Sequence, residues 1–92
     1  MNIFSQLIDR IIEAQEAVVG PIAFEQARKV SGLTVDETHH TVKINGNEKE
    51  AVDTLIKQYE GLFGRASVEV CRDAVKSLIA GMPKEQVPSL LS

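Results

Sequence analysis

Val35 to Asn47 reads "VDETHHTVKINGN". Two acids, two adjacent histidines and an Asn-Gly pair lie within this stretch, and its reading decides the fold. As a metal site, Asp36, Glu37, His39 and His40 offer the carboxylate and imidazole groups that zinc and iron take. As a hairpin, the stretch alternates apolar and polar residues on both sides of a polar tip. Leu33 and Val35 lead in, Val42 and Ile44 lead out, and Asp36–Thr41 lies between. The spacing favours the hairpin, because neighbouring residues of an extended chain point to opposite faces and His39 and His40 are neighbours. Glu37 and His40 have the i, i+3 spacing of a helical ligand pair, but a hairpin tip is not a helix. The chain has no other histidine and one cysteine, so a closed four-ligand site needs a distant carboxylate. We expect a hairpin over about 33–45, with no metal and no cofactor.

Helical patterns flank this hairpin. Residues 2–19 carry apolar side chains at Phe4, Leu7, Ile8, Ile11, Ile12, Ala14, Ala17, Val18 and Val19, an amphipathic stripe. Asp9, Arg10, Glu13 and Glu16 take the opposite face. Gly20-Pro21 breaks this helix, since a residue before proline is pushed out of the α region. Proline also suits the first position of a new helix. A second helix is expected over about 21–31, with Ile22, Ala23, Ala27 and Val30 inward and Gly32 as its C-terminal cap.

Beyond the hairpin, Asn45-Gly46 turns the chain. Asn47 followed by Glu50 has the spacing of a capping box. The third helix runs over about 48–62 with Ala51, Val52, Leu55, Ile56, Tyr59 and Leu62 on one face. Gly61 and Gly64 punctuate "EGLFGRAS", and the fourth helix covers about 65–80 with Val68, Cys71, Ala74, Val75, Leu78 and Ile79 inward. Gly81 ends it, and Pro83 and Pro88 punctuate a short tail, 81–92. The expected architecture is mainly α (α+β): one four-helix domain, residues 1–92, with a β-hairpin inserted between helices two and three.

Composition narrows the function. The chain has 92 residues, a net charge of −3 and only three Phe and one Tyr among its aromatics, so its core is aliphatic. Its ten Lys and Arg never run longer than two. Phosphate backbones are bound by clustered cations, which argues against nucleic acid. A winged-helix regulator is the alternative, with the hairpin as wing. Its recognition helix would offer only Arg28 and Lys29, and its wing tip is acidic. The single Cys71 makes no intrachain disulfide, which fits a reducing compartment. "MNIFSQLIDRIIEAQ" lacks the basic-then-apolar pattern of a signal segment, and no apolar run reaches the ~20 residues of a membrane span. The expectation is a cytoplasmic protein without a membrane partner.

No catalytic set assembles. Cys71 falls on an apolar stripe, where cysteine behaves as a small hydrophobe. Asp9, Glu13 and Glu16 share a solvated helix face. Gly61, Gly64 and Gly81 match no phosphate-binding pattern, and Arg65 opens helix four at the surface. The apolar stripes, in contrast, are extensive for a short chain, and a two-stranded hairpin leaves open edges. We therefore expect a small, non-enzymatic interaction or regulatory module, homodimeric and with another protein as a further partner. Its interface candidates are Ile11, Ile12, Val18, Val19, Val42, Ile44, Leu90 and Leu91. A small metal-binding protein or enzyme using Asp36, Glu37, His39 and His40 is the second alternative.

Overall fold

The computed structural model describes residues 2–36, 38 and 41–91. The chain runs α1 (Ile3–Val19), α2 (Ile22–Arg28), β1 (Leu33–Asp36), β2 (Thr41–Ile44), α3 (Glu48–Phe63) and α4 (Ala66–Ala80). Two single 3-10 turns follow, Lys84–Gln86 and Ser89–Leu91. This is the expected mainly α architecture, with one antiparallel hairpin between α2 and α3.

The local signals act where the residues place them. Asn2 caps α1 by accepting from the Phe4 N–H at 2.7 Å. Asn47 caps α3 by accepting from the Glu50 N–H at 2.9 Å. Such caps satisfy backbone donors that have no partner within the helix. Gly20 and Gly64 end α1 and α3 with φ of 80° and 84°, conformations that glycine adopts without steric cost.

Helix α2 is shorter than its sequence pattern, ending at Arg28 rather than Ser31. Its last turn tightens into i→i+3 bonds, Lys29 N–H to Gln26 O and Val30 N–H to Ala27 O, both 3.1 Å. Gly32 therefore does not cap the helix. It turns the chain into β1 with φ of 93°, and its carbonyl accepts from Asn45 N–H at 2.7 Å. A Cβ at Gly32 would stand 3.2 Å from the Asn45 carbonyl oxygen, so the turn excludes a side chain as well as a left-handed L residue.

The core is aliphatic around one buried tyrosine. Leu7, Ile8, Ile11 and Ile12 of α1 meet Ala23, Phe24 and Ala27 of α2, Val52, Leu55, Ile56 and Tyr59 of α3, and Cys71 and Val75 of α4. The hairpin register pairs Leu33 with Ile44 and Val35 with Val42, so its four apolar side chains share the face that lies on the helices. β1 packs against α2 and β2 against α1.

Buried polar groups are matched across helices. Tyr59 donates its hydroxyl to Ala23 O at 2.7 Å, tying α3 to α2. Gln58 donates to Gln26 Oε1 at 2.8 Å. Gln15, 1% exposed, donates from Nε2 to Ser67 O at 3.0 Å and lies 3.3 Å from Cys71 Sγ, tying α1 to α4.

The tail is part of the fold. Val87, Pro88 and Leu91 are buried. Asp53 on α3 accepts from Ser89 N–H at 3.2 Å, Ser89 Oγ at 2.7 Å and Leu90 N–H at 3.0 Å. Lys49 donates to Glu85 O at 3.0 Å, and Arg72 donates to Leu90 O at 3.2 Å.

Candidate interaction surface

The hairpin tip comes first because it carries the ligand-type residues. Asp36 accepts from Thr38 N–H at 3.0 Å, the self-bonded turn that an Asp at a strand end makes. Glu37, His39 and His40 lie outside the described residues. Among the described residues no group of three or more His, Cys, Asp or Glu side chains is placed to hold a metal ion.

Cys71 is buried between α1 and α4. Burial pushes its thiol pKa upward, and the hydrogen bond from Gln15 only partly opposes that shift. A raised thiol pKa leaves less thiolate at neutral pH, and the buried side chain packs as a small hydrophobe.

Asp9 and Glu13 face the hairpin side of α1. With Ile12, Phe24 and Val42 they line a shallow depression with an apolar floor and two carboxylates at its rim. Partial burial raises the Asp9 carboxyl pKa, and the neighbouring Glu13 charge raises it further. Asp9 is thus less solvated than a fully exposed polar face predicts.

The eight interface candidates separate into four pairs. Ile11 and Ile12 are core residues, 0% and 2% exposed, and present nothing to a partner. The apolar width of α1 that suggested a surplus is taken up within the chain by α2, α3 and α4. Leu91 is also buried, and Leu90 is half-buried against the same core, so both fold back on their own chain. Val42 and Ile44 are half-buried on the helices. Val18, in contrast, is 66% exposed and Val19 half-buried.

Two residues expected inward are outward instead. Ile22 is 37% exposed and Leu62 is 52% exposed, while Phe24 takes the inward place in α2. Val18, Ile22 and Leu62 all lie at one end of the molecule. Gln15 meets Ser67 and Cys71 at the start of α4, so the last turn of α1 lies beside the α3–α4 corner. Tyr59 bonds to Ala23, so the start of α2 lies beside the last turn of α3. Val19 and Phe63, half-buried, complete this end, with Phe63 stacked on Tyr59 at 6.3 Å between ring centroids. Glu60 and Arg65 flank the α3–α4 corner with opposite charges.

A second apolar concavity lies at the far end of α4. Ile79, Ala80, Met82, Val87 and Leu91 line it, with Lys84 at the rim. Among the described residues no helix is long and apolar enough to cross a membrane.

The signals for the missed residues differ. Gln15 stands on the inward stripe, four after Ile11 and seven after Ile8, so a polar side chain there marks a cross-helix bond. Asp53 has no local signal, because its partners lie 36 and 37 residues away. No protein-family model, curated protein or solved structure matches this chain.

Proposed function

We propose that this chain is a non-enzymatic protein-interaction module that forms a homodimer through the end of the molecule bearing Val18, Ile22 and Leu62. The observation that carries this reading is that the three large hydrophobic residues left exposed among the described residues sit at the end of α1, the start of α2 and the end of α3, which cross-helix hydrogen bonds bring together. Single exposed apolar residues are ordinary, but a cluster rimmed by charges is characteristic of an interface. A two-fold contact must be self-complementary. Glu60 and Arg65 meet that requirement, since each can face its opposite on a second copy.

Sedimentation velocity tests the proposal. The wild-type chain is expected to dimerise at tens of micromolar or below, and Leu62→Glu to sediment as a monomer with an unchanged far-UV spectrum. A wild-type chain that stays monomeric at millimolar concentration refutes it, as does a dimer that both Leu62→Glu and Val18→Glu leave intact.

A further inference from the structure

The hairpin edges are not equivalent, and the hydrogen-bond register says why. Asn45 N–H donates to Gly32 O, which makes Gly32 and Asn45 a hydrogen-bonded pair. Bonded and non-bonded pairs alternate along an antiparallel ladder. Thr34–Lys43 and Asp36–Thr41 are then bonded pairs, and Leu33–Ile44 and Val35–Val42 are not. The backbone groups of Val42 and Ile44 consequently turn outward from β2, as those of Leu33 and Val35 do from β1. On β1 the edge is partly closed, because Leu33 N–H donates to Val30 O at 3.2 Å. On β2 no backbone hydrogen bond from the other described elements reaches Val42 or Ile44.

We propose that the free edge of β2 takes an extended segment of another protein, with a Lys or Arg side chain of that segment lying across the mouth of the shallow depression lined by Asp9, Ile12, Glu13, Phe24 and Val42. Strand addition supplies main-chain hydrogen bonds, and alternate side chains supply specificity. The side chain of Val42 lies on the helices, so a residue paired with it across the new ladder points the same way. There it meets the acid-rimmed depression. Its methylene stem covers Ile12, Phe24 and Val42, and its cation reaches Asp9 and Glu13, four residues apart on one face of α1. Among the described residues no ion pair engages either carboxylate. The next residue of the segment points to solvent beside Lys43, where a second basic residue is disfavoured.

Among the described residues, the β2 strand of a second copy does not fit the edge. Symmetric pairing of β2 with itself about Lys43 sets two lysines directly opposite, which is destabilising. The described β2 residues that can pair with Val42 are Val42 and Ile44, and neither brings a cation to Asp9 and Glu13.

The inference rests on the interaction-module reading but uses a different surface, so the two fail separately. The experiment is a two-dimensional NMR titration of the full chain with the capped peptide Thr-Val-Thr-Lys-Thr-Val-Thr. Saturable shifts are expected at Val42, Ile44, Asp9 and Glu13 with peptide up to about 5 mM, the weak range for so short a ladder. The same peptide with Glu in place of Lys is expected to bind at least about tenfold more weakly, as is the Lys peptide toward Asp9→Asn/Glu13→Gln. N-methylation of the Lys amide and of the Val amides two residues to either side, which face the same edge, is expected to abolish binding. Equal affinity for the Lys and Glu peptides, retained binding after N-methylation, or no saturable shift at β2 overturns the inference. Peptide binding to a chain that is monomeric in sedimentation supports it while removing the dimer. A dimer whose β2 does not respond removes the inference alone.

Discussion

Replacing Asp53 with Ala tests whether the last residues are structural. One carboxylate on α3 accepts both amides that open the Ser89–Leu91 turn, and the Ser89 hydroxyl as well. Losing a side-chain cap costs about 1 kcal/mol. Hydrogen bonds to a charged acceptor are worth about 1.5–3 kcal/mol each when shielded, and these are largely exposed, so we count one further bond at about 1.5 kcal/mol. The sum, about 2.5 kcal/mol, is a large share of the roughly 5–14 kcal/mol expected for 92 residues. At about 4–8 °C per kcal/mol for a domain this size, Tm falls by about 10–20 °C. Asp53→Asn keeps an acceptor and should lose about half as much.

The structural cause can be separated from a general loss of stability. Leu91 N–H donates to Pro88 O at 2.9 Å, and its exchange rate reports on the turn directly. In the wild type, Leu91→Ala removes a buried leucine at about 2–5 kcal/mol. In the Asp53→Ala background the turn is already loosened, so the same change should cost about 1 kcal/mol less, a coupling that a double-mutant cycle measures. A Tm within about 3 °C of wild type, with Leu91 amide protection retained and the two substitutions additive, refutes the assignment of Asp53 as the anchor of the tail.

Gln15→Ala should cost about 2–4 kcal/mol in urea unfolding, because it opens a cavity between α1 and α4 and removes the bond to Ser67 O. Gln15→Met should recover most of that loss, and failure to do so would locate the stability in the hydrogen bond rather than the packing. Asp9→Asn should stabilise the fold at pH 7. In the wild type the raised Asp9 carboxyl pKa makes its ionisation unfavourable in the folded state, through burial and then Glu13. The gain should be full above the raised folded value and vanish below the ordinary 3.8, where Asp9 is neutral in both states. A gain independent of pH across that window would show that charge is not its cause.

Much of this fold is legible in the residue order because its signals are local. Asn47 and Glu50 lie within one turn, and their spacing alone predicts the cap that forms. The alternation of Leu33, Val35, Val42 and Ile44 predicts both the strands and the face they bury, since the side-chain period of a strand is two. Gly20 and Gly64 mark helix ends because the backbone itself needs a positive φ there. The apolar stripes of α1 and α3 likewise predict which faces turn inward, up to their last turns.

The tertiary structure decided what periodicity does not encode, namely how far each stripe is covered. Ile11, Val18 and Leu62 are similar as sequence, yet Ile11, in the middle of α1, is buried while Val18 and Leu62, in the last turns of α1 and α3, are exposed. Gly32 reads as a helix cap, but the carbonyl of Asn45, thirteen residues on, determines its role. Leu90 and Leu91 of the tail read as interface candidates, but Asp53 fixes the tail to its own chain from a helix 36 residues earlier. Period and capping depend on bonds within one element. Burial, and with it the choice of surface left for a partner, depends on where the elements end against one another.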